Sequence, residues 1–358
     1  MSIKETERAL EGKLYRLRKK KQWLNHMKRR LIGAREVLTK QQKEAVITYY
    51  KPYIALKETM GHEWYTEKTG NFFVNYIPDW VWHGYIDPFY NDVEAAAKLE
   101  NKCFFENMFP NCPHPVNLGY RANGIWYTNA HGVLTYDELM KAISNEAVLF
   151  IKQANVSCGG FGVVKVEGSD IVKKVTEIVS KISKDIVIQR PIQQSDVLNS
   201  INPSSVNSIR VLSLLRPENV KIYSMVLRVG VGDSYVDNAC SGGLMVGINL
   251  DGSLKEKAFY RNGDSCTVHP TTGTEFGKVV LPNIHAVADM VKKIHPQIPY
   301  FRLVSWDIVL DEQNQPLLLE ANLREGGIDI HQLTNGPVFG EDTTVILEEV
   351  FGKRRYKR

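Results

Sequence analysis

Cysteine is scarce and dispersed. The five cysteines stand at 103, 112, 158, 240 and 266, and no two form a Cys-x-x-Cys pair. An odd, scattered set argues against a disulfide framework or a zinc site, and fits a reducing cytoplasm. No apolar run approaches the ~18 residues a membrane span needs. The first thirty residues lack the apolar core of a secretory signal. No Ser/His/Asp pattern stands out, and no internal repeat or low-complexity segment is visible apart from the basic ends. No base-reading module is present, so no nucleic-acid partner is expected.

What is present is an ordinary globular composition, 43% hydrophobic and 24% charged, over 358 residues. That length holds two or three lobes with cores of their own. The net charge of +5 conceals its distribution. Residues 1–40 carry thirteen Lys/Arg against four Asp/Glu, and the tail 353–358 adds five cations, so residues 41–352 carry −9. Leu10, Leu14, Leu17, Leu24, Leu31 and Leu38 recur at helical spacing, which predicts one long helix over 5–45. Lys and Arg cover the rest of it. Such a helix can lie on the inner face of an anionic membrane, bind an acidic partner, or dock basic-faced on its own protein.

Residues 46–145 form a second, aromatic-rich region. Trp64, Tyr65, Trp80, Trp82 and their neighbours read as core, punctuated by Pro78, Gly84 and Pro88. His62 and His83 read as structural. A helix is expected over 93–108, two short strands near 116–120 and 124–127, and a helix capped by Thr135. The region 146–195 is a compact α/β unit. A strand ends in Lys152, a turn carries Ser157, Gly159, Gly160 and Gly162, and a second strand follows. This strand–turn–strand order differs from the strand–loop–helix of nucleotide motifs of the Walker or Rossmann type. Its glycines let main-chain N–H groups close on a polyphosphate, and Lys152 points a cation at the same oxygens. The alternative is a flexible turn. A helix over 169–183 and a strand ending at Gln189 complete the unit.

The region 196–358 opens with a strand bearing Arg210 and ends in a hairpin, Leu303–Leu310 and Leu317–Arg324, turned at 311–315. Glu320 and Asn322 share a face by strand alternation. The turn brings Asp307 opposite residue 319 or 320. Two carboxylates and an amide can converge there, and oxygen donors of that kind hold Mg²⁺. The same three residues could instead line a solvated face.

The order of lysine strand, glycine hairpin, helix, Val-Ile-Gln strand, arginine strand, acid strand and Glu-x-Asn strand resembles the ATP-grasp superfamily. Over about residues 46–340 it is most similar to the sugar-transfer-associated ATP-grasp proteins of bacterial surface-polysaccharide gene clusters. The matching text is Tyr76-Ile-Pro78, Lys102, Ser205-Val-Asn-Ser-Ile-Arg210, Val236-Asp-Asn238, Gly242-Gly243, His269-Pro270, Ser305-Trp-Asp307 and Leu319-Glu-Ala-Asn322. The resemblance implies an α/β (α+β) ATP-grasp fold, with ATP held between a small lid and a larger antiparallel-sheet domain. It implies Lys102 and Lys152 on the nucleotide, the loop 157–162 over its phosphates, and Gln189 with the backbone near Arg190 and Ile192 at adenine. It implies Asp307, Glu320 and Asn322 on Mg²⁺, and Arg210 and Arg324 near the transferred phosphate, where the alternative for each arginine is a structural ion pair. Two departures stand out. Asn101 precedes Lys102 where an Asp is common, with Glu100 one position further back. The nearest acid for the ribose hydroxyls is Asp196, seven residues past Gln189.

The activity implied is carboxylate–amine ligation through an acyl-phosphate, with a small-molecule or glycan-linked acid and amine as partners. Asp237, Asn238, His269, Glu325, His331 and Gln332 are the candidate substrate contacts, or else parts of ordinary turns. Two rivals stand beside this: a phosphotransferase acting on a sugar-related alcohol, and a non-catalytic nucleotide-binding module of glycan machinery.

Overall fold

The computed structural model describes residues 3–31, 37–128, 132–155 and 162–352. The expected single helix over 5–45 is two helices. α1 runs Ile3–Arg30, and α2 runs Lys40–Tyr50. Thr39 explains the second start. Its hydroxyl accepts the Gln42 N–H and its own N–H is taken by the Gln42 side chain, a reciprocal cap. Leu38, read as a continuation of the leucine stripe, is buried just ahead of that cap.

α3 (Met60–Thr69) and a π-helical turn at Trp82–Ile86 carry the aromatic region. Trp64, Tyr65, Tyr76, Trp82 and Tyr90 are buried, as expected of core. His62 and His83 are buried as well, and burial lowers each to about 4, so both are neutral near pH 7. The helix expected over 93–108 stops at Leu99. Asn101 then accepts the Cys103 N–H, which starts a new short turn at Lys102.

Two antiparallel sheets follow. The smaller contains β1 (Asn117–Ala122), β2 (Ile125–Tyr127), β3 (Val133–Leu134), β4 (Val148–Gln153), β5 (Val163–Glu167) and β6 (Ile186–Gln189), in the order β3-β2-β1-β6-β4-β5. β1 pairs directly with β6, so this sheet reaches across the boundary expected at residue 145. The helices Tyr136–Ile143 and Ile171–Lys181 pack Leu139, Ile143, Val175 and Val179 onto Leu149, Ile151 and Ile188. Alternation along β4 therefore turns Phe150 and Lys152 to the other face.

The larger sheet contains β7 (Ser208–Leu215), β8 (Val220–Val229), β9 (Leu244–Ile248), β10 (Leu254–Phe259), β11 (Ser265–Cys266), β12 (Leu303–Leu310) and β13 (Pro316–Asn322), in the order β11-β10-β9-β8-β7-β12-β13. Val304, Trp306 and Ile308 of β12 pack into one core with Val287 and Val291 of the helix Ile284–Ile294. The alternate residues of β12, Ser305 and Asp307, face the other way. The hairpin register resolves the two options left by the sequence. Asp307 lies opposite Glu320, and Ile308 opposite Leu318, so Leu319 is a bulge residue.

Candidate active site

Three adjacent strands build one row of charge. Asp307 on β12 is paired with Arg210 on β7 and with Glu320 on β13. The Arg210 guanidinium donates two parallel bonds to the Asp307 carboxylate, both 2.7 Å. Arg228 on β8 approaches the same carboxylate at 3.1 Å. Burial alone would raise Asp307, but the two guanidiniums outweigh it and hold it at about 2. Asp307 is therefore ionised near neutral pH.

Glu320 accepts from the Lys102 ammonium at 3.0 Å. Lys102 is positioned by its backbone, whose N–H donates to Ala154 just past the end of β4. The lysine thus spans from the smaller sheet to the acid edge of the larger one. Lys152 sits close enough to Lys102, Glu320 and Asp237 for their charges to act on it. Desolvation, then the Lys102 charge, lower it to about 8. Asn322 lies opposite Ser305 and donates its amide N–H to the Ser305 carbonyl at 3.1 Å. The same amide NH2 group lies 3.5 Å from the Asp307 carboxylate, on the face shared with Glu320. Asp307, Glu320 and Asn322 are residue types that could hold Mg²⁺, the amide presenting its oxygen once its NH2 group turns from Asp307.

Asp237 is also brought in. It accepts from the Ser208 N–H and hydroxyl and lies 3.5 Å from Arg228. Glu325 stands at the far end, just past β13, with its backbone N–H on the buried Asp87. Its carboxylate meets Lys19 of α1 at 2.5 Å. Gly326 allows the chain to pass this closely, because a Cβ there would lie 2.7 Å from the Ser305 hydroxyl.

Other residues singled out from the sequence are engaged elsewhere. His269 bonds the Gly230 carbonyl, and Gln332 pairs with both backbone groups of Ile77. His331 is buried against the Ser224 hydroxyl, and burial lowers it to about 3. Asn238 caps the turn at Cys240. Gln189 donates to Asn117, while Arg190 turns its side chain to Glu146 and its N–H to the Val116 carbonyl. Ile192 packs against the core of the larger sheet, and Asp196 is exposed at the start of a short helix. Ser157, Gly159 and Gly160 lie outside the described residues. Gly162 holds φ +87°, and a Cβ there would strike the Gln153 side chain at 2.8 Å.

Two participants were not singled out as site residues from the sequence. Arg228 was hidden in an apolar strand. Its signal was a guanidinium among Val-Leu-Arg-Val, costly to bury without an acid. Glu100 was noted only as a neighbour of Lys102. It accepts from the backbone N–H groups of Leu323 and Arg324 and from the Arg324 side chain at 3.1 Å, and so fastens the end of the acid strand to the Lys102 turn.

Residues 83–346 match the model of a family described as sugar-transfer associated ATP-grasp. No curated protein matches the chain. Among solved structures, N5-carboxyaminoimidazole synthase from Aspergillus clavatus is 12% identical with a TM-score of 0.42, over 72% of this chain and 54% of that one. D-alanyl-alanine synthetase A from Vibrio cholerae is 15% identical with a TM-score of 0.43, over 73% and 68%. L-amino acid ligase from Bacillus licheniformis is 17% identical with a TM-score of 0.40, over 71% and 48%. The chain thus spans about half the length of the first of these proteins.

Proposed function

The chain belongs to the sugar-transfer associated ATP-grasp family, and from that premise we propose that it is an ATP-dependent, ADP-forming carboxylate–amine ligase. The observation that carries this reading is the acid row Asp307–Glu320–Asn322, facing Lys102 from the smaller sheet and Arg210 and Arg228 from the larger. It combines an oxygen-donor set for a divalent cation with cations for a polyphosphate. Phosphoryl transfer needs positioning and charge neutralisation more than a protein nucleophile.

In this reading a carboxylate oxygen of the substrate attacks the γ-phosphorus of ATP. The bond to the β,γ-bridging oxygen breaks, and ADP leaves with that electron pair. An amine nitrogen then attacks the acyl carbon. The acyl C–O bond breaks, inorganic phosphate departs, and the amine proton passes to solvent. Lys102 and Lys152 offset the charge of the nucleotide phosphates. Asp307, Glu320 and Asn322 would hold Mg²⁺, which supplies Lewis-acid neutralisation of phosphoryl charge when bound. Arg210 and Arg228 hold Asp307 ionised and aimed. We place the amide on a surface polysaccharide or its precursor; the description of the family as sugar-transfer associated supports the sugar part of that reading alone.

The test is turnover with Mg·ATP, pooled small carboxylates and amino sugars, and hydroxylamine as a trap. ADP, phosphate and a hydroxamate are expected together. A stable phosphoester with no amine requirement would instead make the protein a phosphotransferase. Nucleotide binding without turnover of any acceptor in the pool would favour a binding module.

Lys152 gives a pH prediction. Its ammonium, lowered to about 8, is charged below that pH and neutral above it in the free protein. Affinity for an unhydrolysable ATP analogue should therefore be steady up to pH 8. It should then fall by up to about tenfold per pH unit, because binding must recover the proton. Lys152→Arg should bind without this decline. Calorimetric titration from pH 7 to 9.5 checks both, and a flat wild-type profile would remove Lys152 from the phosphates.

A further inference from the structure

α1 docks through one face only. Tyr15, Arg16, Lys19, Lys20, Trp23, Leu24, Met27 and Arg30 are turned at least partly inward. Arg30 pairs with Asp329 at 2.7 Å and lies over the Trp64 ring at 4.2 Å. Lys20 lies over Trp80, and Trp23 stacks on His83 with ring centroids 4.2 Å apart. The leucines of its first half are on the opposite side. Leu10, Leu14 and Leu17 are 56%, 43% and 55% exposed. They form one stripe, about 10 Å long at helical rise. Around and beyond them, Lys13, Arg18, Lys21, Lys28 and Arg29 are exposed, against the exposed acids Glu7 and Glu11.

We propose that this outer face of α1 seats the protein on an anionic lipid bilayer, with Leu10, Leu14 and Leu17 inserted at the headgroup boundary and the five cations on lipid phosphates. Charge complementarity selects the occupant and the orientation. Residues 41–352 carry −9 and are repelled by an anionic surface, whereas this face is basic. An apolar stripe bordered by Lys and Arg is the pattern of a helix lying in a membrane interface. Among the described residues no helix is long and apolar enough to cross a membrane, so attachment here is peripheral. Lys19–Glu325 and Arg30–Asp329 fasten the inner face of α1 to the segment that follows β13. The segment that follows β13 would then stand one helix diameter, roughly 10 Å, from the lipid surface. If the ligase reading holds, that placement suits an acceptor carried on a lipid.

The test is co-sedimentation of the full chain with vesicles of phosphatidylcholine alone or mixed with phosphatidylglycerol, without nucleotide. Binding is expected only with phosphatidylglycerol, and should weaken as salt rises. The pair Lys13→Glu/Lys21→Glu should lower affinity about tenfold or more. The pair Leu14→Glu/Leu17→Glu should lower it about tenfold, with an unchanged melting temperature because both side chains are exposed. The proposal is overturned if the wild type ignores both vesicle types. It is equally overturned if the leucine pair binds as the wild type does, since charge alone would then account for adsorption. Binding is read without turnover, so an inactive Glu320→Gln protein that still sediments separates this proposal from the ligase reading.

Discussion

Glu320→Gln is expected to lower ATP turnover by on the order of 10³-fold while leaving the protein folded. Glu320 is at the edge strand β13, and among the described residues its carboxylate accepts from the Lys102 ammonium at 3.0 Å. Both side chains are about a quarter exposed, at 27% and 23%, so losing this ion pair should cost less than about 1 kcal/mol of stability. The amide keeps the volume of the carboxylate and removes the charge. What is lost is one anionic oxygen donor in the set with Asp307 and Asn322, and with it charge neutralisation at the phosphoryl group. ADP release under the trapping conditions is the measurement, with thermal melting as the control for folding. Turnover within about threefold of wild type would take Glu320 out of the metal site and return the hairpin to a polar surface.

Asp307→Asn should behave differently, because Asp307 serves the fold as well as the site. It is 3% exposed and lies between two guanidiniums, Arg210 at 2.7 Å and Arg228 at 3.1 Å. Removing its charge leaves two like cations buried without their shared anion, which should cost about 3 kcal/mol in addition to turnover. The carboxyl is held at about 2, below its unfolded value near 4. A depressed acid stabilises the fold above its unfolded pKa, and that stabilisation is lost as pH falls through the folded pKa. The stability gap between wild type and variant should therefore be constant from pH 8 to pH 5 and shrink below about pH 4. Urea unfolding across that range checks it. A gap that is absent at pH 7 would mean that Arg210 and Arg228 find other anions.

Much of the candidate site's geometry was legible because its chemistry is local in the chain. Glu-x-Asn on one strand and an acid on the preceding strand must share a face, since strand side chains alternate and a hairpin brings its arms together. The choice between partners 319 and 320 for Asp307 was not legible, because it turns on a bulge at Leu319 that sequence alternation alone does not reveal. Arg228 escaped notice for a related reason. Its reach to Asp307 crosses from β8 over β7 to β12, and that strand order places residues 79 positions apart side by side.

Several residues read as substrate contacts also bond within the fold, because a polar side chain in a loop has two uses. His269 and Gln332 satisfy buried backbone groups that would otherwise lack partners. Nothing in the local sequence distinguishes that duty from ligand binding. The leucines of α1 show the same ambiguity in reverse. Their spacing determined that a helix would form and that they would share a face of it. Whether that face turned inward depended on what the rest of the fold presented. Trp64, Trp80 and His83 offer rings to Arg30, Lys20 and Trp23, and Asp329 and Glu325 offer charge to Arg30 and Lys19. The aromatic side of α1, with Arg16, Lys19, Lys20 and Arg30, is therefore the docked one, and Leu10, Leu14 and Leu17 are left in solvent with Lys13, Arg18, Lys21, Lys28 and Arg29. The sequence by itself determined which residues could form elements and which chemistry they carry, because period and side-chain type are local properties. The tertiary structure alone decided which charges meet and which face is free, because those depend on distances between segments far apart in the chain.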